Sequence, residues 1–351
     1  MKIGLFVTNQ QHRDANMIEA LDQQYAMVHH ARDNGWDSIF TGQHYLNEGD
    51  NQQLQIVPFL SRLQAEAGDM TLGLGILLLN LHNPVYVAET IASLDIICRG
   101  NFVFGVGLGY REAEFDAFRV PQGQRVARFE ECLELVKRLW IEDEVTYESE
   151  ITKLWRVHMN VRPIQQPFPP IWIAANNDRA VKRAARLGDA WFINPHSTTV
   201  TIARQMSIYK AELKNAQKPF PNEIPCMKEV FCSTSREKAI ELAGPYLAGK
   251  YRDYAAWGQD NAMPSDETFN QPFDTLLQNR FILGSPEECY AQLRTYWEDL
   301  GVNHLVMRTH WAGMPLKIAL DSMHLISAEL LPELKKAIPS DSVGNGVCKF
   351  V

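Results

Sequence analysis

Short apolar runs alternate with longer stretches of helical periodicity along almost the whole chain, and that alternation restricts the fold more than any other feature. Lys2–Val7 (KIGLFV) reads as a first strand. Ile18, Leu21, Tyr25 and Val28 then recur at helical spacing up to a stop near Asn34-Gly35. Further strands are predicted at Asp37–Thr41, Met70–Leu79, Asn101–Gly107, Pro170–Ala174, Asp189–Asn194, Cys226–Cys232 and His304–Arg308, nearly each with a helix after it. Ser285-Pro286-Glu287-Glu288 combines a capping box with proline at the first helical position and marks one helix start clearly. Eight strands in this order predict a (β/α)8 TIM barrel. A doubly wound sheet would need fewer strands or a clear break, and no linker is visible.

Two segments interrupt the alternation. Residues 142–166 contain VTYES and WRVHMNV and predict a hairpin-like insertion. Residues 250–283 are polar-aromatic and poorly periodic, which predicts a mobile lid over the barrel mouth. The expected organisation is one barrel domain over 1–339, with a flexible tail at 340–351.

The chain has 351 residues with 34 Lys+Arg against 42 Asp+Glu, a net charge of −8, which argues against a nucleic-acid partner. No stretch approaches the roughly 18 apolar residues of a membrane span. MKIGLFVTNQ turns polar too soon for a signal peptide. Cys98, Cys132, Cys226, Cys232, Cys289 and Cys348 are scattered, without a C-x-x-C pair, so neither a zinc site nor a disulfide framework is expected. The expected setting is the cytoplasm and the expected assembly a homodimer.

A barrel of this kind places its chemistry at the C-terminal ends of the strands. His44 follows the second strand there, where an imidazole can move a proton near neutral pH. Gly105-Val106-Gly107-Leu108-Gly109 follows the fourth strand, which is the wrong spacing and the wrong place for a dinucleotide fingerprint. Its glycines mean either a tight turn or a backbone lying close to a ring or phosphate. Ala174-Ala175-Asn176-Asn177 ends a strand and opens a helix, which makes an ordinary cap or an anion site, with Arg179 beside it. His196, Arg308 and Trp311 fall after later strands, and Arg280 near the end of the expected lid; these are candidates for substrate contact. Metal-ligand spacing and covalent-nucleophile motifs are both missing.

Gly73–Asp95 (GLGILLLNLHNPVYVAETIASLD), Arg99–Phe118 (RGNFVFGVGLGYREAEFDAF) and Pro169–Ala175 (PPIWIAA), together with Gln43-His44-Tyr45, resemble the bacterial luciferase-like, flavin-dependent monooxygenase family. The resemblance runs to about Ala337, and its specific element is the Gly-Tyr-x-x-x-Glu-Phe ending of the second segment. It implies a (β/α)8 barrel that takes reduced FMN from a separate reductase. Dioxygen would react at the flavin 4a carbon, and the resulting flavin 4a-peroxide would oxygenate an organic substrate. It further implies that Gly75 and Ile76 form a bulge behind the flavin ring, with a non-proline cis peptide. Gly107, Leu108, Gly109 and Tyr110 would lie beside the ring, Ala174 would belong to the cofactor site, and Ala175, Asn176 and Asn177 would hold the phosphate. His44 would stand at the reacting edge. A related branch uses a deazaflavin and commonly has Asp-His where this chain has Gln43-His44, so the residues favour FMN. Leu108 stands where some relatives have arginine, which implies a dissociable flavin. The expected activity is FMN-dependent monooxygenation of a small, largely apolar molecule. The alternatives are a deazaflavin-dependent oxidoreductase and a non-catalytic flavin-binding protein.

Overall fold

A computed structural model describes residues 1–47 and 51–337. Eight parallel strands make the barrel: β1 (Lys2–Phe6), β2 (Ser38–Thr41), β3 (Thr71–Leu74, resumed at Leu77–Leu78), β4 (Phe102–Gly107), β5 (Ile171–Ala175), β6 (Ala190–Ile193), β7 (Pro225–Cys232) and β8 (His304–Arg308). β4 pairs with β5, and β8 with β1, so the sheet closes on itself without an edge. Every residue of β4 and of β7 is buried, as parallel strands covered by helices require.

The barrel interior is filled before it reaches its upper rim. Phe6, Phe40, Val103, Trp172, Ala190, Phe192, Met227 and Val306 form one cluster. Phe40 stacks on Trp172 at 5.2 Å, and His304 meets Trp172 edge-on at the same separation. Such a plug leaves space only above it, at the C-terminal ends of the strands. Outside the barrel, side chains of Asn16, Asn83, Asn177, Thr198, Ser235 and Ser285 cap helices, and Ser285 and Glu288 complete the reciprocal capping box.

Several boundaries differ from those expected. The run Met70–Leu79 is two short strands, because the chain turns aside at Gly75-Ile76. The insertion at 142–166 does hold an antiparallel hairpin, Val145–Glu148 with Lys153–Val157. The expected lid is a different object from the one read in the sequence. Its first seven residues, Lys250–Ala256, complete the helix Arg236–Ala256, and Ile282–Gly284 adds a short strand to β7. Within Lys250–Ala256 the buried residues are Lys250, Tyr251 and Tyr254, so no aliphatic stripe marks that end of the helix. A small sheet of Gln10–His12 with Asn51–Gln53 escaped the sequence reading, since QQH and NQQ carry no apolar alternation. The tail expected at 340–351 lies outside the described residues. Among the described residues no helix is long and apolar enough to cross a membrane.

Candidate active site

A cavity of about 940 Å3 opens above the aromatic plug, within the range of small-molecule and cofactor sites. His44, Gly75, Ile76, Gly107, Leu108, Gly109, Tyr110, Ala174, Ala175, Asn176, Asn177, His196 and Arg308 all line it. Arg280 and Trp311 do not, and the expectation that they contact substrate is corrected. Arg280 donates to the His196 carbonyl and pairs with Glu267 at 2.7 Å, tying the segment after the Arg236–Ala256 helix to the β6 loop. Trp311 is buried and donates from Nε1 to Glu229 at 2.7 Å. Residues 261–266 do line the cavity and roof it.

One wall is flat and apolar. The Gly75–Ile76 peptide is cis, and the Ile76 side chain packs against the plug cluster. A side chain at Gly107 would meet Ile76 Cδ1 at 2.8 Å and Ala174 Cβ at 3.6 Å, so only glycine keeps this face level. Gly109 has a φ of +73°, which lets the chain turn sharply from β4 into the helix Glu112–Ala117.

At the edge of that wall stands a polar group that the sequence reading left incomplete. His44 Nδ1 lies 3.2 Å from Glu114 Oε1, and the Glu114 side chain is only 1% exposed. The same oxygen accepts from the Tyr45 backbone N–H at 2.8 Å and lies 3.6 Å from Arg111 Nη1. Arg111 is held in turn by the Tyr45 and Leu46 carbonyls and stacks over Trp257. The carboxylate accepts, so this bond places the His44 proton on Nδ1 and leaves Nε2 as the atom able to take another. Nothing adjacent to His44 in sequence marks a second acid or base. Glu114 is the glutamate of the Gly-Tyr-x-x-x-Glu-Phe ending, and the signal was there without a role attached.

The β5 end is cationic and more open. Asn177 caps the helix Asp178–Leu187 by accepting from Ala180 N at 3.1 Å, and its amide reaches the Ala262 carbonyl of the roof at 3.3 Å. Arg179 and Arg125 line this end, together with Arg183, which is buried and makes no ion pair among the described residues. Burial pulls the Arg183 guanidinium below its ordinary pKa. These arginines supply the positive charge that Leu108 does not.

The β7 and β8 end is enclosed. Glu229 receives Lys250 on one oxygen and Trp311 on the other. Burial lowers Lys250 to about 7, with Glu229 opposing and Arg308 adding to the fall. Lys228, fully buried, donates to the Pro195 and Ser197 carbonyls at 3.3 and 3.1 Å. Burial and then the cations Lys250, Arg280, Arg308 and Lys228 hold His196 well below its usual pKa, so it is neutral. Lys228, Glu229 and Lys250 were not singled out from the sequence, although a Lys-Glu pair inside the apolar run CMKEVFC was a visible anomaly.

The cavity suits a flat, polar-edged ring. Beside the level wall of Ile76, Gly107 and Ala174, the side-chain amide of Gln43, the Tyr110 hydroxyl and His196 Nδ1 are buried without a partner among the described residues. No group of three or more His, Cys, Asp or Glu among those residues could hold a metal.

A family model described as luciferase-like monooxygenase matches residues 1–304. A monooxygenase from Streptomyces bottropensis superposes with a TM-score of 0.82 at 23% identity, covering 95% of this chain and 99% of that one. The oxygenating constituent of 3,6-diketocamphane monooxygenase from Pseudomonas putida, solved with FMN, superposes at 0.78 with 16% identity over 95% and 99%. In sequence, the F420-dependent glucose-6-phosphate dehydrogenase of Amycolatopsis mediterranei is 24% identical over 95% of this chain and 99% of that protein.

Proposed function

The chain belongs to the luciferase-like monooxygenase family, and on that premise we propose that it is an FMN-dependent monooxygenase acting on a small organic molecule. The observation that carries this reading is the His44–Glu114 pair standing at the edge of the flat wall of Ile76, Gly107 and Ala174. The wall residues would take one face of the ring. The Ala175–Asn177 turn, Arg179 and Arg183 would take the phosphate, assisted by helix N–H groups. FMN, reduced by a separate reductase, would supply the electrons that activate dioxygen. The roof over 261–266 would limit the access of water, which favours coupled oxygenation over loss of reducing power. His44 takes or returns a proton at Nε2 while Glu114 fixes its tautomer and ring orientation.

Deazaflavin-dependent hydride transfer is the second reading, favoured by the F420-dependent relative. Gln43 in place of an acidic residue before His44 weighs against it. The test is titration of the purified protein with FMN and with F420, followed by oxygen-electrode measurements with reduced FMN and a panel of organic substrates. Substrate-dependent oxygen uptake with FMN is expected. F420 reduction by an alcohol substrate, without oxygen uptake, would replace the first reading by the second.

A further inference from the structure

At the enclosed end of the cavity the cation Arg308 has no carboxylate partner among the described residues. Lys228, Lys250, Arg280 and Arg308 surround His196, against Glu229 and Glu267. Glu267 is committed to Arg280 and to the N–H and hydroxyl of Thr198. Glu229 is committed to Lys250 and Trp311. Arg308 is left without an ion pair among the described residues, although it is only 6% exposed. Its position is nevertheless fixed. Nε donates to Thr8 Oγ1 at 3.0 Å, and Thr8 is anchored by donating to the His310 carbonyl at 2.7 Å. The guanidinium lies over the Phe6 ring at 4.8 Å, with the Tyr254 hydroxyl beside it, and it faces the cavity. A buried guanidinium anchored through Nε, hydrogen-bonded to the Tyr254 hydroxyl and lining the cavity, is suited to bind an oxyanion through charge-assisted hydrogen bonds.

We propose that Arg308 is the specificity-determining residue of this site and that the substrate is an organic anion whose carboxylate docks on it, with the rest of the molecule lying across Phe6 and Tyr254 toward the flat wall. This replaces the largely apolar substrate expected from the sequence. It rests on the reading of the cavity as the active site, but not on which flavin fills the other end. Phe6 and Tyr254 give the adjoining surface an aromatic character, so an aryl or alkyl carboxylate fits better than a sugar acid.

The test is calorimetric titration with benzoate, phenylacetate and octanoate, each against its own carboxamide, on the free protein and on protein equilibrated with FMN. The carboxylate should bind about tenfold tighter than its amide in at least one pair, with or without FMN. Arg308→Gln should abolish that preference while leaving FMN affinity within about twofold. Arg308→Lys should retain part of it, since the charge remains and the fork is lost. Arg183→Gln, at the opposite end, should leave it unchanged. The proposal is overturned if no carboxylate is preferred over its amide in the wild type, a measurement that needs no variant to fold. It is also overturned if Arg308→Gln weakens FMN instead, which would assign Arg308 to the flavin, or if Arg183→Gln removes the preference. Failure of the wild type to bind either FMN or F420, with the carboxylate preference intact, would reject the flavin reading and leave the anion site standing.

Discussion

At the β5 end of the cavity Arg179 and Arg204 stand on and beside one helix turn with solvent at hand and only Arg183 is buried, whereas at the β8 end the cations are all sealed inside the barrel. The Arg204–Asp178 pair beside the Asn177 cap has both side chains 43% exposed, while Glu229 and Lys250 are 0% and 6% exposed. Exposed charge is screened by salt and contributes little to stability, so it can be left open for a ligand's charged tail. Buried charge must be compensated within the protein, and its orientation then survives until substrate arrives. On the proposed function, one end would hold and release a ligand and the other would position one. His44 belongs to neither end but sits between them.

If that division is right, the largest effect of any single change should come from the group between the ends. His44→Ala removes the proton-carrying ring without removing core packing, and product formation should fall on the order of 10²-fold or more with FMN affinity unchanged. Glu114→Gln should lose less and should displace the pH profile, since it acts through His44. Full coupled activity in His44→Ala would dissolve the distinction between holding and reacting.

The sealed end should also be the acid-sensitive one. Burial lowers His310 from 6.5 to about 4, and His196 falls well below its ordinary value for the same reason, aided by its cationic neighbours. The folded state therefore binds fewer protons than the unfolded chain between these limits. Stability is full above pH 6.5 and declines as pH drops toward 4. The gap of about 2.5 for His310 corresponds to about 3 kcal/mol at most. Thermal melts between pH 7 and 4.5 check the sign, and a His310→Gln variant should flatten the profile. Because burial also lowers His82, outside this end, to about 4, the variant decides: a His310→Gln profile identical to wild type would mean that the sealed end opens to water.

Arg183→Ala sharpens the contrast from the open side. Loss of one charge-assisted contact, about 1.5–3 kcal/mol, should weaken FMN roughly ten- to a hundredfold and leave turnover at saturating flavin unaltered. With Arg183 and Arg125 present, the dissociable flavin expected from Leu108 alone becomes a quantitative question for the same titration.

The barrel was legible because alternation is a local signal, and the β5 turn was legible because a cap is written in adjacent residues. What escaped depends on partners distant in sequence. His44 and Glu114 are 70 residues apart, and Glu229 meets Trp311 across 82. Lys250 was hidden for a different reason: the last turns of its helix bury a lysine and two tyrosines rather than aliphatic residues, which mimics a lid. Arg280 sits where a lid residue was expected, yet its guanidinium is spent on Glu267 and a carbonyl.

Asn177 offers the finest cut, because it serves the open end in two ways. Its side-chain oxygen caps the helix, and its amide nitrogen ties the turn to the roof at Ala262. Replacing an N-cap asparagine by alanine costs about 0.5–2 kcal/mol. Asn177→Asp keeps the cap and, as a carboxylate, cannot donate to Ala262. Asn177→Ala should therefore lower both stability and FMN affinity by a small factor. Asn177→Asp should keep the stability, weaken FMN by placing a negative charge beside its phosphate, and release more hydrogen peroxide per turnover if the roof tie keeps water out. Equal peroxide release in Asn177→Asp and wild type would show that the roof closes without this contact. The open end would then hold the flavin without any share in protecting the reaction.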